Sequence, residues 1–207
     1  MSQSNGAVVN HVHRDDLGAK LGMWVFLFTE VLLFGGMFLV YAVYRFQFSD
    51  LFKLAALELN TGLGTFNTIV LLTSSLTMVL AIVAIQKNKK NLSLFYLAST
   101  IGFALIFMVV KYFEWSAKFS HGIYPGSEEL LNRQNGEILF FGLYFVMTGL
   151  HAFHVIIGVI IIAVLMVFVY KNKIVHDNYV KLENGGLYWH LVDLIWIFLF
   201  PLFYLIH

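Results

Sequence analysis

The chain has 207 residues, of which 59% are hydrophobic and only 12% charged, with 21 Phe, whereas soluble domains carry about 25% charged residues. That composition belongs to a polytopic membrane protein, and a formal net charge of +1 leaves no basic surface for nucleic acid. With no cysteine, disulfides, thiolate metal sites, haem attachment through cysteine pairs and cysteine nucleophiles are excluded together.

Residues 1–20 read as a polar amino-terminal tail. They lack an apolar core followed by a small-residue cleavage site, so no cleaved targeting peptide is expected. Residues 21–207 read as one all-α membrane domain of five transmembrane helices, with spans at about 21–46, 65–86, 92–115, 138–170 and 187–206. The first span organises the rest, because Leu21 to Tyr44 is an apolar run with a single carboxylate, Glu30, set into it. Thirteen Leu, Val and Phe residues in that run, at about −0.3 to −0.6 kcal/mol each, outweigh the roughly +2.5 to +3.5 kcal/mol of a buried acid. An ionisable group inside the membrane is a functional-site hypothesis that requires a partner.

After the first span, Leu51, Leu54, Ala55 and Leu59 suit a short interfacial helix. The second span carries Asn67, Ser74 and Thr77, polar groups able to hydrogen-bond neighbouring helices, and ends in the basic run KNKK. The third places Lys111 and Glu114 one turn apart at its far end. The fourth is too long to cross perpendicularly and contains His151 and His154. The fifth opens with Tyr188, Trp189, His190 and Asp193, and is interrupted near its end by Pro201. Trp24, Trp115, Tyr188, Trp189 and Tyr204 sit near span ends, where aromatic rings anchor helices at the membrane interface.

Five crossings put the termini on opposite sides. Eight Lys and Arg residues lie on the amino-terminal side against five on the other, which places the amino terminus in the cytoplasm and the carboxyl terminus in the periplasm. Counting from that side, Glu30 lies roughly 14 Å into its helix and Asp193 roughly 10 Å into the last one. His154 falls near the middle of the fourth span, while Lys111 and Glu114 sit near the opposite surface, beyond reach of Glu30. A buried polar cluster of Glu30, His154, His190 and Asp193 is therefore expected, with His151 one turn from His154. The i, i+3 pair His151 and His154 could hold a metal if other helices added ligands, but hydrogen bonding across helices is the commoner use of such a pair. No catalytic residue, metal site or cofactor site is expected from these residues.

The runs LGMWVFLFTEVLLFGGMF, YFVMTGLHAFHVIIGVI and YWHLVDLIWIFLFPLFYL, in that order, closely resemble subunit III of the haem-copper terminal oxidases, the cytochrome c oxidase and quinol oxidase family. The segments FNTIVLLTSSLTMVLA and KYFEW fit the same pattern, so the resemblance covers about residues 17–206. It implies that Glu30 is the family's intramembrane carboxylate, the one that reacts with hydrophobic carbodiimides. His151, His154, Tyr188, Trp189, His190, Asp193 and Trp196 fall on other signature positions, Glu114 on a recurrent acid, and Lys111 where some relatives have an acid. The chain is similar to the short, five-span bacterial form.

The resemblance further implies a non-catalytic subunit of a proton-pumping oxidase in the bacterial cytoplasmic (inner) membrane. Haem and copper would reside in partner subunits. This chain would pack on subunit I together with subunit II, hold phospholipid in a cleft, and support proton uptake and sustained turnover, within or outside a larger respiratory supercomplex. Competing readings are an accessory protein of nitric oxide reductase, a quinol oxidase subunit III, and a stand-alone transporter using Glu30 on its pathway.

Overall fold

The computed structural model describes residues 16–206; residues 1–15 of the polar tail and the terminal His207 lie outside the described residues. Seven helices follow one another: α1 (Asp16–Gln47), α2 (Ser49–Leu57), α3 (Thr61–Gln86), α4 (Lys90–Ser120), α5 (Glu128–Leu131), α6 (Asn135–Tyr170) and α7 (Val180–Tyr204). Five of them, α1, α3, α4, α6 and α7, are long and apolar enough to cross a membrane. The chain is a multi-pass, all-helical membrane protein.

α3, α4, α6 and α7 form the central bundle, and α1 leans on α7 and α6 at its edge. The difference shows in burial: on α1 only Leu27, Phe34 and Tyr41 are buried, one stripe at intervals of two turns, whereas fourteen residues of α6 are. Inside lipid, apolar contact alone does not hold helices together, so close packing and interhelical hydrogen bonds must do so. Thr77 and Thr100 meet at 2.8 Å across α3 and α4. Trp189 Nε1 donates to Ser74 Oγ at 2.7 Å, and Trp196 Nε1 to Thr68 Oγ1 at 3.1 Å, joining α7 to α3. Trp189 is accommodated because it faces Gly158, where a Cβ would come within 2.7 Å of the indole.

The last span begins earlier than the sequence pattern suggests. The segment KLENGG, polar enough to read as a turn, forms the first turns of α7. Its glycines let α7 close on its neighbours: a Cβ on Gly185 would lie 2.3 Å from Leu165 Cδ1. Helix formation continues through Pro201, which costs one hydrogen bond near the helix end where few remain to be broken.

At the end where α1 begins, α3 and α6 finish alike. Asn88 and Asn172, just past the two helices, adopt φ of 59° and 55°, the left-handed conformation that Asn tolerates better than most residues. Lys90 Nζ ties the two turns together by donating to Tyr170 O and Asn172 Oδ1, each at 2.7 Å.

At the opposite end α2 lies across the bundle on a face that shares Ala55 and Leu59 with the expected one but is turned away from Leu54. Phe52, Ala55, Ala56 and Leu59 are buried, while Leu54 is 59% exposed. Phe52 decides the rotation, because its ring meets Tyr41 and Phe140 edge-on at 5.6 and 5.4 Å. Phe203 completes that aromatic cluster against Tyr41, Phe140 and Tyr144. The connection that follows α4 contains α5, whose Ser127 side chain accepts from Leu130 N at 3.2 Å as its amino-terminal cap.

Candidate functional site

Glu30 projects from α1 toward α6, where its Oε2 lies 2.9 Å from His154 Nε2. The two side chains are 15% and 10% exposed. His154 Nδ1 lies 2.8 Å from Leu150 O; a carbonyl only accepts, so Nδ1 carries the hydrogen. That fixes the tautomer and leaves Nε2 to face Glu30. The contact then holds one proton, on the carboxyl or on the imidazole, and without it a lone pair would confront a carboxylate. Phe34 packs edge-on against the imidazole at 5.4 Å, and Tyr188 OH donates to His154 O at 3.1 Å.

The pair forms one end of a cleft of about 610 Å³ between α1, α6 and α7. Met23, Phe26, Phe153 and Ile157 supply apolar walls, while Lys181 and Asn184 line the part nearest the beginning of α7. This layout suits an amphiphile: an apolar channel with a cation at one end and a proton-holding pair in its interior.

The single four-residue cluster expected from sequence is not what the structure builds. His190 turns to the other side of α7, where its Nδ1 is 2.7 Å from Ser75 Oγ on α3. Asp193 is 3% exposed and neither of its oxygens has a hydrogen-bond partner, although Ser75 stands close enough to act on it. His151 is wholly buried, with both ring nitrogens unpartnered, between Phe107 at 5.6 Å and Trp196 at 5.3 Å. Glu30 meets His154 as the positions along their helices suggest, but sequence spacing did not determine which side of α7 carries His190.

A second polar centre lies at the other end of the bundle. Lys111 Nζ donates to Glu114 Oε2 at 3.0 Å and to Tyr204 OH at 2.7 Å, and lies 3.3 Å from Tyr144 OH. The hydroxyls of Tyr144 and Tyr204 both donate to Glu114 Oε1, at 2.9 and 2.5 Å. The ammonium also sits 4.8 Å from the centre of the Trp196 ring. The Lys111 and Glu114 side chains are 3% and 4% exposed, so the pair is sealed within the protein. Their i, i+3 spacing was the visible signal; Tyr144 gave none. Among the described residues, no group of three or more His, Cys, Asp or Glu stands together as a metal site.

Compared with known proteins, the chain matches the family model described as cytochrome c oxidase subunit III over residues 2–207. The chain belongs to that family. It is similar over its whole length to the "Probable quinol oxidase subunit 3" of Staphylococcus haemolyticus, at 30% identity over 206 residues and 97% of that protein. The protein of the same description from Staphylococcus epidermidis is 29% identical over 208 residues, again covering all of this chain and 97% of the relative. A "Heme-copper oxidase subunit I+III" of Aeropyrum pernix is 32% identical over 193 residues, or 90% of this chain. Here the chain spans only 22% of the relative's length.

This subunit III is thus of the haem-copper oxidase type, in a family that associates with subunit I. Several of its aromatic signature residues do not act as interfacial anchors. Trp24 is 61% exposed on α1, but Tyr188, Trp189, Trp196 and Tyr204 are buried. Their polar tips reach neighbouring helices, which in hydrocarbon is the way an indole N–H or phenol can be buried at all.

Proposed function

We propose that this chain is a non-catalytic subunit III of a proton-pumping, quinol-oxidising terminal oxidase in a bacterial cytoplasmic membrane. The observation that carries the reading is the Glu30–His154 contact at 2.9 Å on the wall of an apolar cleft, in a chain matching the family throughout. In this reading the chain packs on subunit I, with subunit II beside it, and haem and copper are held by those partners. The cleft between α1, α6 and α7 takes phospholipid tails, and Glu30 with His154 keeps one exchangeable proton at its inner end. Quinol as electron donor is supported by the descriptions of the staphylococcal relatives; cytochrome c is the alternative. The amino terminus is assigned to the cytoplasm on the Lys and Arg excess at the end where α1 begins.

Purification through a tag on this chain in mild detergent tests the assignment. The expected result is co-purification of a haem-bearing catalytic subunit, with quinol rather than cytochrome c supporting oxygen consumption. A deletion strain is expected to keep the haem spectrum of the core while its activity decays faster during turnover. Isolation of the chain without a haem-bearing partner would overturn the reading.

A further inference from the structure

The His190 side of α7 carries a feature that the Glu30 cleft does not use. His190 is half-buried and lines a separate groove of about 340 Å³ together with Lys20, Trp24, Glu183 and Asn184. That groove opens at the end of the bundle where Lys20 and Glu183 form a 2.9 Å ion pair, half in contact with the surroundings. The imidazole therefore borders a groove that leads out at this end of the bundle. Behind it, His190 Nδ1 meets Ser75 Oγ at 2.7 Å, and beyond the hydroxyl lies the buried carboxyl of Asp193, one helical turn further along α7. A carboxyl group that is 3% exposed and has no hydrogen-bond partner is costly to keep, above all when charged.

From this arrangement we propose that His190, Ser75 and Asp193 form a proton-loading site, in which Asp193 exchanges its proton with the aqueous surface through the Ser75 hydroxyl and the His190 imidazole. The steps balance. A proton from water adds to His190 Nε2, and the Nδ1 hydrogen passes to Ser75 Oγ, which releases its own hydrogen to an Asp193 oxygen. One proton has then moved from water to the carboxyl, and the imidazole is left as the other tautomer, reset when its ring turns or exchanges with water. Ser75 needs only a rotation about its side-chain bond to turn from the imidazole toward the carboxyl. No other ionisable group competes on α3, which has none. The ionisable groups of the other helices packed against α7, among them Lys20 and Glu30 on α1, Asp50 and Lys53 on α2, and Glu137, His151 and His154 on α6, make no hydrogen bond to Asp193.

This inference goes beyond the oxidase assignment and rests on the geometry of this chain alone. It is tested by infrared spectroscopy of the full chain in lipid vesicles, following its protonated-carboxyl band after transfer from H2O to D2O. The Asp193 component is the part of the band that disappears in Asp193→Asn. It is expected to exchange promptly in the wild type, and to slow by about tenfold or more in Ser75→Ala and in His190→Phe. Ser75→Thr, which keeps a hydroxyl, is expected to retain the wild-type rate. Exchange at the wild-type rate in both Ser75→Ala and His190→Phe would overturn the proposal, as would the lack of any Asp193-dependent band. Co-purification of a catalytic subunit is unaffected by either outcome, so this inference and the functional assignment fail separately.

Discussion

Two of the acids set into the helices of this membrane protein, Glu30 and Glu114, are held differently. Glu30 sits at the bundle edge with one imidazole for company and a cleft beside it. Glu114 is enclosed by α4, α6 and α7, with an ammonium and two phenol hydroxyls meeting both of its oxygens. An acid whose two oxygens are both met by buried donors from its own and neighbouring helices is closed to a ligand and ties three helices together. An acid with one partner and an open flank can exchange a proton and answer to whatever occupies the cleft. Position in the bundle, not residue type, decides how each acid is satisfied here.

The sealed centre should break hardest. Lys111→Met leaves the Glu114 carboxylate buried without its counter-charge, a loss expected to cost about 3–5 kcal/mol. Thermal unfolding of the purified chain in detergent would show it as a large drop in midpoint, and the double substitution Lys111→Met with Glu114→Leu should recover much of the loss. If Lys111→Met unfolds like the wild type, the centre does not hold the helices.

The open pair should respond less. Glu30→Leu removes one hydrogen-bonding partner from a half-satisfied site next to a cleft, for an expected cost of about 1–3 kcal/mol in the same assay. A membrane-soluble carbodiimide separates the two acids without any mutation: Glu30 should be labelled and Glu114 left unmodified, as peptide mass mapping would report. Equal labelling would erase the distinction between them. Smallest of all is Lys20→Ala, which removes a surface pair with Glu183 and should leave the unfolding midpoint unchanged.

Much of this was legible in the chain. Apolar length located all five crossings, and the isolated carboxylate in the first pointed to a partner at matching depth, which His154 supplies. What periodicity could not supply was rotation about each helix axis. The apolar run of α7 is nearly uniform around its circumference, so nothing in it says that His190 turns toward α3 while Tyr188 turns toward α6. The same limit applies to α2, where Leu54 and Phe52 are equally apolar and only the aromatic cluster beneath Phe52 chooses between them. The early start of α7 was hidden for another reason: Asn184, Gly185 and Gly186 are turn formers by local preference, and only contact with Leu165 and Ile82 makes the glycines useful in a helix.

By itself the sequence determined that the chain lives in lipid and how often it crosses. These follow from the cost of moving individual residues into hydrocarbon, a sum taken along the chain. Tertiary structure alone decided that Tyr144 and Tyr204 close around Lys111 and Glu114, that Asp193 is left with no hydrogen-bond partner, and that the supposed anchors of α7 are core. Those outcomes depend on which faces of α3, α4, α6 and α7 meet. Inside a membrane that choice is made by the fit of small residues to large ones and by hydrogen bonds between helices far apart in sequence.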